Sequence, residues 1–460
     1  MKAFDRVIKN GTIVTATDTY RADIGISEGK IAAVGVDLNA EEIIDAEGKY
    51  IFPGGIDVHT HLDMQLNEEL TSADDFETGS IAAAIGGTTS FIDYACQPAG
   101  GTLREALEIW KEKGRKSCLD YSLHIAITRA DKETLAEMED MVREGITSFK
   151  VYLVYDMRVN DEELLKILEK SRECGALITV HCENYYVIRH LTEELLKAGK
   201  TEPKYHPISR PASCEGEAVN RVVELAAIAG APVYIVHNTC RAGVKRIKEA
   251  QENGQAVLAE TCPQYLFLTD EVYEKPDFEG AKYVMSPPLR KEEDTVYLWE
   301  QLKNDTLQVI ATDHCPFSFE EKKRGRFDFS KIPNGGTGIE ERMPLLLSEG
   351  PKHGLTLNRI VELTSLNPAK IFGMYPRKGT IVPGSDADLV LYDPKGELKI
   401  TKEALHENVD YTVYEGISIK GCPVMTLSRG EIIVKAGVYV GDRKRGKFIK
   451  REKGFYQKGL

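Results

Sequence analysis

The chain has 460 residues, 42% of them hydrophobic and 28% charged, with a formal net charge of -13 at neutral pH. That length exceeds what one compact core organises, so a large domain with a smaller companion is expected. The acidic balance argues against a nucleic-acid-binding surface, and no stretch approaches the ~20 apolar residues of a membrane span. The opening Met-Lys-Ala-Phe-Asp-Arg lacks the apolar run of an export signal. Nine cysteines without regular spacing suit free thiols in a reducing compartment. A cytoplasmic location follows as the expectation, with no membrane or nucleic-acid partner.

The first fifty residues read as short strands: Phe4 to Lys9, Thr12 to Thr15, Ala22 to Ser27, Lys30 to Val36 and Glu42 to Asp45. Asn10-Gly11 and Glu28-Gly29-Lys30 separate some of them, and Asn-Gly between apolar runs is a strong hairpin signal. From Ile51 the rhythm becomes strand, loop and amphipathic helix. Strands are expected at Ile51–Val58, Thr88–Tyr94, Tyr121–Ile127, Thr147–Tyr152, Leu177–His181, Pro232–His237, Ala256–Glu260 and Leu307–Thr312. Helices with apolar residues three and four apart are expected between most of them, as at Leu103–Lys113, Glu133–Glu144, Glu162–Cys174, Ala218–Ile228 and Val244–Asn253. Eight strands alternating with helices call for an α/β fold of the (β/α)8 TIM-barrel type. A doubly wound open sheet is the alternative, and it would gather its ligands at a single crevice.

Near Tyr375 the strand-and-turn character returns, with Asp388–Tyr392 and Ser428–Val434. The expected layout is a β-sandwich domain built from both chain ends, residues 1–52 and 375–442, with the barrel, 53–374, inserted between them. Residues 443–460 form a basic tail carrying Arg443, Lys444, Arg445, Lys447, Lys450, Arg451, Lys453 and Lys458. Such a run reads as a solvated extension or a subunit contact.

Metal-capable residues sit at the ends of five of these strands. Gly-Gly-Ile-Asp-Val-His-Thr-His ends in His59 and His61, which point the same way because side chains alternate along a strand. His181 closes Leu-Ile-Thr-Val-His, His237 closes Val-Tyr-Ile-Val-His, and Asp313 closes Val-Ile-Ala-Thr-Asp. Active sites of such barrels form at the C-terminal ends of the strands. Any one of these histidines is easily a core or surface group, but four with an aspartate at equivalent places point to a metal site. Imidazole with carboxylate suits zinc, and equally manganese, iron or cobalt. Lys150 lies within the apolar fourth strand, where an ammonium beside dications is disfavoured. As a neutral amine it can take up carbon dioxide to give an anionic, metal-bridging carbamate; alternatively its ammonium snorkels to the barrel rim.

The segments Val58-His59-Thr60-His61, Ser148-Phe149-Lys150, Val180-His181-Cys182-Glu183-Asn184, Val236-His237 and Ala311-Thr312-Asp313-His314-Cys315 together resemble the cyclic amidohydrolases, in particular the dihydropyrimidinase/hydantoinase branch. Ser209-Arg210-Pro211, Ser286-Pro287-Pro288 and Pro333-Asn334-Gly335 add to the resemblance. It implies a binuclear centre, with His59, His61 and Asp313 on one divalent ion, His181 and His237 on the other, and N6-carboxylated Lys150 bridging them. It further implies Tyr155 as an oxyanion-stabilising phenol, Ser286 and Asn334 as ring-amide binders, and Asp313 as proton acceptor and donor. The implied reaction is hydrolysis of a small cyclic ureide, a dihydropyrimidine or a 5-substituted hydantoin, by a homotetramer. Met64, Leu66 and Met157 read either as an apolar lid over the substituent or as packing residues. Dihydroorotase would call for an Arg two residues past His-x-His, where this chain has Asp63. Allantoinase presents the same ureide chemistry, and a non-catalytic scaffold of this fold would lack the ligands.

Overall fold

The computed structural model describes residues 4–455, so Lys458 of the basic run lies outside the described residues. Eight strands run parallel in chain order: Gly55–Thr60, Thr88–Cys96, Asp120–Ala126, Ser148–Tyr152, Leu177–His181, Val233–Ile235, Val257–Thr261 and Val309–Ile310. The ring closes where Thr60 bridges His314 in parallel and the Asp313 amide donates to His59 O at 2.9 Å. The expected (β/α)8 barrel is thus present. Its strands are buried on both faces, as in a sheet jacketed by helices.

The helices form for local reasons. In Asp161–Cys174, Asn160 accepts from the Glu163 amide while the Glu163 carboxylate accepts from the Asn160 amide, a reciprocal cap at the N-terminus. Leu164, Ile167, Leu168 and Ser171, three and four residues apart, face the barrel. Gly175, left-handed at φ 73°, ends the helix where a side chain would be strained.

The sandwich has one four-stranded and one seven-stranded sheet. The smaller sheet orders Lys30–Gly35, Asp23–Ser27, Phe4–Lys9 and Ala40–Asp45, all from the N-terminal segment. The larger joins both chain ends: Leu389–Lys399 pairs antiparallel with Tyr50–Pro53, and Ser418–Ser428 and Glu431–Lys435 follow outward. Ile8, Ile24, Ile26, Ile51, Leu389 and Leu427 fill the space between the sheets.

Two expectations need correction here. The single strand Ile51–Val58 is two strands in two domains, Tyr50–Pro53 in the sandwich and Gly55–Thr60 in the barrel. The break is at Gly54, where a Cβ would lie 2.0 Å from Thr89 Oγ1. Asn10-Gly11 does not make a hairpin, because Phe4–Lys9 and Thr12–Val14 belong to different sheets. Asn10, at φ 65°, turns the chain at the corner between the sheets, and Phe4–Lys9 pairs instead with Asp23–Ser27 and Ala40–Asp45. Glu28-Gly29, with both φ positive, does make a tight hairpin turn.

The basic tail is no solvated extension as far as residue 455. It lies across the N-terminal end of the barrel: Phe448 bridges Tyr121, Ile449 is buried, and its amide donates to Tyr121 O at 2.7 Å. Arg451 is only 4% exposed and donates to Ser122 Oγ and Leu123 O at 2.8 and 2.6 Å. The outer basic residues meet carboxylates of the same chain, Arg443 with Glu77 and Lys450 with Glu144. The tail therefore closes the barrel floor, and the mouth is left to the opposite, C-terminal strand ends.

Candidate active site

At that mouth lies a cavity of about 300 Å³ lined by His59, His61, Lys150, His181, His237 and Asp313, together with Tyr155, Ser286 and Asn334. Every site residue expected from sequence faces this one cavity. Met64, Leu66 and Met157 stand at its walls, on the loops after the first and fourth strands, so they line the cavity rather than pack away from it.

Nε2 of His59 and Nε2 of His61 each lie 3.1 Å from Asp313 Oδ1. The ligand atoms of these three residues fall within 4.8 Å of one another. On the other side of the centre the rings of His181 and His237 are 4.5 Å apart, and His59 and His237 are 5.3 Å apart. Lys150 is wholly buried, its Nζ 4.6 Å from the ring centre of Tyr94 and 5.2 Å from that of Tyr152. His237, Asp313 and Tyr155 have φ of 35°, 55° and 70°, a conformation that non-glycine residues rarely adopt. Strain of this kind, at three residues of one cavity, is characteristic of functional sites.

For His61, His181, His237 and Asp313 the environment favours the form a cation needs. Burial brings the His61 imidazole down to about 4 and lowers His181 and His237 as well, so these rings are neutral near pH 7. At His59 burial is outweighed by the carboxylates of Asp313 and Glu260, which raise it. Burial favours a neutral Asp313, yet the His59 and His61 rings hold its carboxyl well below the usual range. Burial pushes Lys150 down to about 8, so a minor fraction, about a tenth, is free amine at pH 7. His61 Nδ1, His237 Nδ1 and Lys150 Nζ are buried without hydrogen-bond partners. Convergent imidazoles, one carboxylate, a reactive amine and unpaired donor atoms fit divalent metal binding.

Sequence reasoning assigned no role to the residues that orient these ligands. Glu260, at the end of the seventh strand, bonds His59 Nδ1 and accepts from Tyr234 OH at 2.8 Å and from the His237 amide at 3.2 Å. Glu183 accepts from His181 Nε2 at 2.8 Å and from Arg210 Nη1 at 2.7 Å. Asp93 accepts from Thr60 Oγ1 and the Leu62 amide, on either side of His61. Such partners fix ring orientation and tautomer. A polar residue in the C-terminal half of an apolar barrel strand was the signal available for Glu260 and Asp93.

A barrel with this donor set at its C-terminal rim has the build of a metal-dependent hydrolase. Residues 50–433 match the model of the amidohydrolase family. The D-hydantoinase of Geobacillus stearothermophilus is 48% identical over 456 residues, 97% of each chain. A D-phenylhydantoinase of Escherichia coli is 44% identical, covering 97% of this chain and 98% of that one. The crystal structure of dihydropyrimidinase from Brevibacillus agri NCHU1002 superposes with a TM-score of 0.96 at 48% identity, covering 98% of this chain and 99% of that one. The chain belongs to the amidohydrolase family, within its hydantoinase/dihydropyrimidinase branch of cyclic amide hydrolases.

Proposed function

We propose that this chain opens the rings of 5-substituted hydantoins and 5,6-dihydropyrimidines by hydrolysis, giving N-carbamoyl amino acids. The observation that carries the reading is one cavity in which four imidazoles, Asp313 and Lys150 face two polar groups suited to a ring amide. The near-full-length similarity to hydantoinases supports it. Leu62 is buried and, among the described residues, those lining the cavity include no arginine to pair with a dihydroorotate carboxylate. No helix among the described residues is long and apolar enough to cross a membrane.

Two divalent ions, zinc in our reading, would be held by His59, His61 and Asp313 and by His181 and His237. Lys150 would bridge them as a carbamate, formed when its neutral amine attacks carbon dioxide, an N–C bond forms and one proton leaves. When bound, such a pair acts as Lewis acid and makes hydroxide available at neutral pH. Asp313, ionised in its surroundings, takes the proton of the attacking water and delivers it to the ring nitrogen as the amide bond breaks. An amide nitrogen leaves poorly until it is protonated, so this second transfer is essential.

Burial raises the Tyr155 phenol to about 12, which keeps its hydroxyl protonated and able to donate to the developing oxyanion. Its backbone is held by Arg158, whose Nη1 donates to Tyr155 O at 2.9 Å. Tyr155→Phe should lower kcat about 10²-fold with little change in KM; an unchanged kcat removes the oxyanion role. Asn334 Oδ1 is buried without a hydrogen-bond partner and Ser286 Oγ lies beside the Tyr155 hydroxyl, and both residues are placed to meet the ring amide. Met64, Leu66 and Met157 offer an apolar wall to the ring's 5-substituent.

A panel of hydantoin, both enantiomers of 5-phenylhydantoin, 5,6-dihydrouracil, allantoin and dihydroorotate tests the reading. Turnover is expected for the hydantoins and dihydrouracil, and turnover confined to allantoin or dihydroorotate overturns it.

A further inference from the structure

Lys322 has no role in the chemistry above, yet it is among the largest fully buried side chains of the molecule. It ends the short helix Phe319–Lys322 in the segment that follows the eighth barrel strand. Its Nζ donates at 2.7 Å to each of three backbone carbonyls, those of Val284, Pro333 and Gly335. An ammonium has three donors, and all three are used. Burial lowers its proton affinity to about 7, and no carboxylate among the described residues offsets that effect. A buried ammonium without a counter-ion is strongly disfavoured unless every donor is met. Here they are met by the carbonyls of two loops that are distant in sequence.

Those loops carry the two groups assigned to the ring amide. Val284 is two residues before Ser286, and Pro333 and Gly335 flank Asn334 on either side. The Gly335 amide also donates to Val284 O at 3.1 Å, tying the loops directly. In a trans peptide the C=O and the following N–H point in opposite directions. Drawing Pro333 O onto the ammonium therefore turns the Asn334 amide away from Lys322. Ser286, Asn334 and Gly335 all line the cavity. Gly335 has little freedom to adjust: at φ 147° a Cβ there would lie 2.0 Å from Cys315 O.

We propose that Lys322 is a positioning residue that holds the segments 284–286 and 333–335 in one fixed relation and thereby sets the enzyme's affinity for the ring amide. The proposal rests on the assignment of Ser286 and Asn334 as substrate-binding groups. It predicts a defect in ground-state binding, because the metal ligands, Asp313 and Tyr155 lie on other segments.

The test is steady-state kinetics of the metal-loaded full chain with hydantoin, for the wild type, Lys322→Gln and Lys322→Met, with metal content measured alongside. Lys322→Met, which strands three carbonyls, should raise KM about 30-fold and leave kcat within about threefold. Lys322→Gln, which keeps two donors, should raise KM about fivefold. Metal content should match the wild type in both. A KM unchanged in Lys322→Gln, or a fall in kcat accompanied by loss of metal, overturns the proposal. If Lys322→Met is not recovered folded, the Gln variant decides alone by the same criterion. Failure of the wild type to open any hydantoin or dihydropyrimidine rejects the functional reading and this role with it. Wild-type turnover with KM unchanged in the variants rejects only the role of Lys322.

Discussion

Asp313→Asn is expected to lower kcat by about 10⁴-fold at saturating divalent metal. Asparagine keeps the size of the side chain and one carbonyl oxygen, so the imidazoles of His59 and His61, 3.1 Å away, still meet an acceptor. What disappears is the negative charge that these rings hold well below its ordinary pKa, and with it the capacity to take a proton and return it. Both transfers fail, so the loss falls on kcat, and raising the substrate concentration does not restore it. Metal affinity should weaken too, since a neutral amide is a poorer ligand than a carboxylate. Measuring kcat over a range of metal concentrations separates the two effects. Recovery to within about tenfold of wild type at high metal would show that Asp313 serves only as a ligand and moves no proton.

Lys150→Ala is expected to release the metal and remove about 4 kcal/mol of transition-state stabilisation, or ~10³-fold in rate. The argument lies in the surroundings of Nζ: fully buried, faced by the rings of Tyr94 and Tyr152, and without a hydrogen-bond partner. A lysine whose function was to remain an ammonium would be given acceptors, as Lys322 is by three carbonyls. Burial lowers the proton affinity of both lysines, to about 8 at Lys150 and about 7 at Lys322, so what sets Lys150 apart is the lack of acceptors around an amine that can combine with carbon dioxide. Alanine removes the carbamate and leaves a hole of carboxylate size, so millimolar propionate should restore part of the activity. Elemental analysis after exhaustive dialysis reads the result directly. Two ions retained per chain by Lys150→Ala would remove the bridging role.

The parts of the site legible in the sequence share a physical cause. Strand alternation and the C-terminal rim of the barrel tie position in sequence to position in space, so His59, His61, His181 and Asp313 could be placed from pattern alone. Lys150 stood out because a charged residue interrupted an apolar strand. Residues whose meaning depends on a distant partner were not legible as such. Glu260 gains its role only beside His59, which precedes it by 201 residues. Lys322 becomes interpretable only when two remote loops are seen converging on its ammonium.

At the level of fold, the tail misled because eight basic residues outweighed Phe448 and Ile449, the pair that docks it under the barrel. Asn10-Gly11 misled because a positive φ reverses a chain equally well within one sheet or between two. The division of Ile51–Val58 is marked by Gly54 alone, and its necessity depends on Thr89. His237 lies beyond the last paired residue of its short strand, held by the bond from its amide to Glu260.

The central claim is that water, activated at this cluster, attacks the carbonyl of the ring amide. Ring opening of hydantoin in ¹⁸O-labelled water, with the product examined by mass spectrometry, tests it directly. The account predicts an N-carbamoyl amino acid carrying the label in its new carboxylate, formed by the metal-loaded enzyme and abolished by a chelator. Label in the carbamoyl group, or ring opening that survives removal of the metal, would contradict it.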